Sequence, residues 1–256
     1  MHVTVLMAVY NEAKVVRSAL ESILKQTYND WDLLIIDDGS TDGTQQLIQS
    51  LAAIDSRIII IRNTINLGLA ASLNRGWKQA KGALIARMDA DDVSLPQRFA
   101  LQVGYLKSHR DVAVLGGGAE LIDEEGRLLG VALRPEMHQV LVSKIYKENP
   151  FIHPSVMIRR NFLTELGGYD ERLRRSQDYD LWLRGYRCYH YHNLPEALIR
   201  HRVHRTLSLQ AIISGTFVLG RAAYREGRLA TCGWYAMRWL AASLLTKVGL
   251  YESRLS

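Results

Sequence analysis

Ala83-Leu84-Ile85-Ala86-Arg87-Met88-Asp89-Ala90-Asp91-Asp92 is the stretch on which the fold turns. A mostly apolar run that reads as a buried strand breaks into three carboxylates within four positions. Moving outward, the same switch recurs. Residues 3–9 are an apolar run ending in Tyr10-Asn11-Glu12, and residues 33–36 end in Asp37-Asp38-Gly39-Ser40-Thr41-Asp42-Gly43. Helical stripes fill the gaps, over residues 13–26, 44–54 and 70–81, with a further strand at 58–61. Pro96 opens a helix to about Lys107, and residues 112–115 form another strand. Strands alternating with helices, each strand apolar on both faces, predict a mostly parallel sheet covered by helices, an α/β fold of the Rossmann type.

Ligands of such sheets bind beyond the carboxyl ends of the strands. Here that edge carries Tyr10 and up to seven carboxylates, a crowding that calls for a cation. Asp89, Asp91 and Asp92 offer oxygen ligands to a hard divalent ion, Mn²⁺ or Mg²⁺, whose shell is completed by water and substrate phosphates. Helix capping could use one of the three acids, hardly all, so the metal reading is preferred. Asp37-Asp38-Gly39-Ser40 is ordinary turn chemistry when taken alone, and Ser40, Thr41 or Asp42 could cap the next helix. Its place beside Tyr10 suggests base recognition, the ring stacking and a carboxylate accepting the base N–H.

The second half is less regular. A strand is expected at 155–158, short helices at 160–166 and 179–186, a last strand at 197–202, and helix from residue 210 onward. Soft boundaries fall near 110 and 208. Residues 1–110 and 111–208 are read as two halves of one domain, and 209–256 as a basic helical extension. The net charge of +6 belongs to that end, since residues 200–256 carry nine basic and two acidic residues. A nucleic-acid binder would spread its basicity over the fold, so no nucleic-acid partner is expected.

The ordered set of motifs resembles family 2 glycosyltransferases of the GT-A fold over about residues 3–208. It comprises Ala8-Val9-Tyr10-Asn11-Glu12, the 37–42 run, Asn66-Leu67-Gly68 with an Asn74–Gly76 helix, and Asp89-Ala90-Asp91-Asp92 with Pro96 and Arg98. Gly167-Gly168-Tyr169-Asp170-Glu171 and Gln177-Asp178-Tyr179-Asp180-Leu181-Trp182 complete it. The resemblance implies an inverting, metal-dependent transferase that uses a nucleotide sugar, with UDP the default and dTDP or GDP the alternatives, residues 1–110 being the nucleotide-sugar-binding half and 111–208 the acceptor-binding and catalytic half. It implies donor contacts at Val9, Tyr10, Glu12, Asp38, Asn66, Asp89, Ala90 and Asp91, and metal ligation at Asp91 and Asp92. Asp178 would be the general base; an N-cap role for the helix that follows is the plainer reading. Gln177 departs from the Glu that many members carry there.

His153 either lines an acceptor pocket or is a satisfied buried histidine. Arg202 and His204, beside Arg205, either close over the diphosphate or form a solvated basic loop. A nucleotidyltransferase would present a Gly-rich basic signature near its start, which is absent, and a degenerate binding module would have lost acids that are all present. The acceptor would be a glycan or a lipid-linked sugar. Cys188 and Cys232 form no disulfide framework or zinc spacing, and the start shows no basic leader, so a cytoplasmic protein is expected. Trp234, Tyr235, Trp239 and Tyr251, interleaved with Arg228, Arg238 and Lys247, suit the inner membrane face, the catalytic domain or a second copy in a homodimer.

Overall fold

The computed structural model describes residues 1–203 and 209–228, together with 230, 231, 233–235 and 237. His204 and the tail beyond residue 237 lie outside the described residues.

The first half winds as β1 (Val3–Val9), α1 (Val16–Leu24), β2 (Trp31–Asp37), α2 (Thr44–Ala52), β3 (Ile58–Arg62), α3 (Leu69–Trp77) and β4 (Leu84–Asp89). All pairings among these four strands are parallel, in spatial order β3-β2-β1-β4. Alternation along β1 and β2 explains why both faces are apolar. Val5, Met7, Leu33 and Ile35 pack with α1, α2 and the later α4 (Arg98–Ser108); Leu6, Leu34 and Ile36 pack with α3 and the C-terminal helices.

Beyond β4 the sheet becomes mixed. The second half adds β5 (Val93–Ser94), β6 (Val112–Ile122), β7 (Leu128–Ala132), α5 (His138–Lys144), β8 (Met157–Arg159), α6 (Arg160–Leu166), α7 (Gln177–Gly185), β9 (His190–Arg202) and α8 (Leu209–Arg225). The sheet continues β4-β8-β6-β9-β5, with β7 paired to β6. β8 is antiparallel to both β4 and β6, and β6 runs parallel to β9.

β6 is longer than its apolar start suggests, because it continues through Gly116-Gly117-Gly118. A Cβ on Gly117 would lie 2.4 Å from Leu198 Cδ1, and one on Gly116 2.2 Å from Asn193 Oδ1. These glycines make room for β9, although glycine in a sequence reads as a break.

The described start of the extension packs on the domain. Val218, Leu219 and Ala222 are buried against the core that holds α7. Arg221 Nη2 donates to Asp170 at 2.8 Å and sits 3.3 Å from the buried Asp180. The outward side shows Phe217 and Tyr224, with Trp234 and Met237 exposed further on. No described helix is long and apolar enough to cross a membrane.

Candidate active site

The ends of β1 and β2 are laced together. Asn11 takes a left-handed conformation (φ 56°), which turns its side chain so that Oδ1 accepts from the Thr41 N–H at 2.8 Å. In the same turn the Asn11 N–H reaches Ser40 Oγ, the Glu12 N–H reaches Thr44 Oγ1, and the Ala13 N–H reaches Asp42. Those contacts hold residues 13–15 in turns, so α1 starts at Val16. Asp42 also accepts from the N–H and hydroxyl of Thr44 at the head of α2.

Asp38 is buried and fully integrated. Oδ1 accepts from Asn63 Nδ2 at 2.7 Å and the Leu67 N–H at 2.9 Å, and Oδ2 from the Gly68 N–H at 2.9 Å. It thereby pins the loop that brings Asn66 to the edge of the cleft. Oδ2 keeps a lone pair for one further donor.

A cleft of about 570 Å³ opens at this edge, within the size range of small-molecule sites. Val9, Tyr10, Glu12, Asp38, Asn66, Asp89, Ala90 and Asp91 all line it. Tyr10 is 45% exposed, leaving its ring available for stacking. Arg174 and Arg175 line the same cleft and set two cations among its acids.

Asp89, Asp91 and Asp92 offer oxygens within 4.8 Å of one another. Asp89 is paired with Arg87, which is 2% exposed. Asp92 is wholly buried; its carboxylate faces His201 Nδ1 at 3.0 Å and accepts from the Arg202 N–H at 2.8 Å. Burial lifts Asp92 above the ordinary carboxylate range despite the hydrogen bond from His201. The His201 ring, which burial alone would lower, is raised by that same bond. Three clustered hard oxygen donors, with phosphate-sized space beside them, fit Mg²⁺ or Mn²⁺.

Behind the trio stands a second buried guanidinium. Arg98 donates Nη2–H groups to the carbonyls of Arg87 (2.7 Å) and Val156 (3.2 Å), and tethers the end of β4 to the 153–156 turn. Burial pulls its pKa down to about 9, which still leaves it charged at neutral pH.

Asp178 occupies the first turn of α7, after Ser176 in a left-handed conformation (φ 58°). Asn149 Nδ2 donates to its Oδ2 at 2.8 Å. Burial raises Asp178 above the ordinary carboxylate range, against that hydrogen bond, the N–H groups of the helix start and the Arg87 charge. Asp178 and His153 are not among the residues lining the cleft, but both feel the Arg87 guanidinium that pairs with Asp89. His153 Nε2 meets the Tyr169 hydroxyl at 3.0 Å, and burial together with Arg87 holds the ring well below its usual value, hence neutral. Gln177 Oε1 is buried and has no hydrogen-bond partner among the described residues.

Arg202 lies behind the Asp91–Asp92 turn. Its Nε donates to the carbonyl of Asp91 (3.1 Å) and its Nη1 to those of Asp123 and Glu124 (both 2.6 Å). That engagement braces the turn from outside the cleft.

Several participants escaped the sequence reading. Asn63, Asn149 and His201 serve Asp38, Asp178 and Asp92 from 25, 29 and 109 residues away, and no spacing rule joins such pairs. Arg174-Arg175, a basic pair just ahead of Asp178, was the one local signal available.

The fold defines the class. The UDP complex of TarS residues 1–349 from S. aureus superposes with a TM-score of 0.68 at 19% identity, over 87% of this chain and 65% of that one. The mannosyltransferase PcManGT from Pyrobaculum calidifontis, solved with GDP-Man and Mn²⁺, gives 0.68 at 19% identity, over 98% of this chain and 76% of that one. Both likenesses establish the GT-A, Rossmann-like architecture of a mixed sheet flanked by helices. The family model described as glycosyl transferase family 2 matches residues 4–167, and this chain belongs to that family. EpsE of Bacillus subtilis, provisionally named a glycosyltransferase, is 41% identical over 78% of this chain and 72% of its own length. The O-antigen biosynthesis glycosyltransferase WbnJ of Escherichia coli is 35% identical over 79% and 80%. The amylovoran biosynthesis glycosyltransferase AmsE of Erwinia amylovora is 33% identical over 78% and 75%.

Proposed function

We propose that this glycosyltransferase moves a sugar from a nucleoside-diphosphate sugar, a UDP-sugar by preference, to a hydroxyl of a growing glycan, surface polysaccharide or glycolipid, with inversion and with a divalent metal. The observation that carries the reading is one cleft in which an exposed aromatic ring, the Asp38 carboxylate, Asp89 and Asp91 converge, with the buried Asp92 next to them and Asp178 within the field of Arg87. The relatives named for O-antigen and amylovoran synthesis support a cell-surface polysaccharide as the product.

In this reading Tyr10 stacks on the base, and the spare lone pair of Asp38 accepts from the base or ribose. Asp91, with Asp89 and Asp92 beside it, would hold Mn²⁺ or Mg²⁺, which when bound neutralises the departing diphosphate. Arg174 and Arg175 add positive charge along the same wall. Asp178 takes the proton of the acceptor hydroxyl as its oxygen bonds to the anomeric carbon and the nucleoside diphosphate leaves from the opposite face. A raised carboxylate suits that task, since a base works best when its pKa approaches the operating pH.

Thermal melts with UDP, dTDP, GDP, ADP and CMP, with and without Mn²⁺, test the donor site. A ligand at a hundred times its Kd adds about 2.7 kcal/mol. For a chain of this size that is a rise of roughly 5–10 °C. One nucleoside diphosphate should give a Mn²⁺-dependent rise that Asp91→Ala abolishes. Absence of a rise with every nucleotide would defeat the reading.

A further inference from the structure

Arg87 is the least expected residue in the molecule. It stands inside β4, 2% exposed, and among the described residues has one ion-pair partner, Asp89. Its Nε and Nη1 groups are buried without a hydrogen-bond partner among the described residues. Nearly all buried polar groups are satisfied, so two unmet N–H donors on one charged side chain call for a reason. Stability does not supply it, because well-packed apolar residues often replace a buried ion pair at no loss.

The surroundings supply one. Three carboxylates within 4.8 Å would repel one another and, left uncompensated, would draw a divalent ion strongly by themselves. Arg87 approaches that cluster from inside the sheet and engages an oxygen of Asp89. Its neighbour Arg98 spends its Nη2 donors on the carbonyls of Arg87 and Val156 instead of on an oxygen of the trio. A trio relieved of one charge has a weakened hold on a cation, whereas a diphosphate entering the cleft would restore negative charge on the open side.

We infer that Arg87 is a positioning residue, acting through Asp89, whose fixed charge makes metal capture conditional on the nucleotide. The acidic trio alone holds Mn²⁺ weakly, and the ion and the diphosphate are retained as a pair. The inference rests on the nucleotide-sugar reading above.

The test is a Mn²⁺ titration of the full chain, alone and with saturating UDP (and GDP alongside), following free Mn²⁺ by its paramagnetic resonance signal. In the parent chain the diphosphate should tighten Mn²⁺ binding at least about tenfold. Arg87→Met keeps an unbranched side chain suited to burial but removes the guanidinium and its charge. It should bind Mn²⁺ without nucleotide at least about tenfold tighter than the parent, shrinking the effect of the diphosphate. Arg87→Lys should behave as the parent. Unchanged or weaker Mn²⁺ affinity in a folded Arg87→Met chain overturns the inference. Should that variant not fold, the parent decides: Mn²⁺ held equally tightly with and without UDP or GDP overturns the inference while leaving the transferase reading intact. A parent that binds no nucleoside diphosphate overturns both.

Discussion

The acids at the ends of the first strands and the acid at the head of α7 live under opposite regimes. Asp38 is held by three donors from two separate segments, and Asp42 by the N–H and hydroxyl of Thr44 and the N–H of Ala13. Burial would raise Asp42, but those hydrogen bonds outweigh it and leave the carboxyl below its usual range. Asp178 has, among the described residues, one side-chain donor, Asn149, and burial carries it upward. The contrast separates two jobs. A carboxylate that shapes a loop is given several donors, whereas Asp178 is given few, as the proposed proton-accepting role would require.

Replacing Asp178 strikes that contrast hardest. Asp178→Asn should lower transfer by at least about a thousandfold, read as release of the nucleoside diphosphate in the presence of acceptor. The Mn²⁺-dependent melting rise with nucleotide should survive. Stability should move the other way. Because the folded-state pKa is raised, the folded chain binds this proton more readily than the unfolded one. The stability tied to it is full below the ordinary value of about 3.9 and is lost as pH climbs through the raised value. Asp178→Asn should therefore melt higher than the parent near neutral pH and lose that advantage in acid. Near-normal turnover in this variant would remove Asp178 from the chemistry.

Asp38→Ala probes the other regime. It strands the donors of Asn63, Leu67 and Gly68, at a cost of about 3 kcal/mol, or a midpoint lower by roughly 6–12 °C. The nucleotide-dependent rise should disappear with it. A variant that melts like the parent would mean that the 66–68 loop holds its place unaided.

Asn149→Ala is the mildest of the three. Without its donor Asp178 rises further, so the acid limb of the rate profile should move to higher pH, while transfer at neutral pH falls by no more than about tenfold. An acid limb that stays put would mean Asn149 only orders its own loop.

Legibility in the sequence followed contact order. Val3–Val9 and its neighbours announced themselves because each strand and its covering helix are adjacent in the chain, and the donor-side acids sit where those strands end. β7 and the first half of β9 were hidden because their partners are distant and their side chains uneven: β7 is mostly exposed, and β9 answers a glycine run that reads as a loop. The motif aspartates could be named from their local pattern. The residues that hydrogen-bond them, His201 to Asp92 and Asn149 to Asp178, could not, since only the closed sheet and the folded loop bring them near.

Asp180 bears on how the chain is made. This buried carboxylate lies two residues past Asp178, and its cations come from Arg184 and, from α8, Arg221 and Arg225. During synthesis the first half, with its local strand–helix contacts, can form early. Helix α7, by contrast, keeps a partly unmatched internal charge until residues some 40 positions later have left the ribosome. Helix α8 thus completes the surroundings of the first turn of α7, and in a nascent chain stalled before it the Asp180 charge would face Arg184 without Arg221 and Arg225.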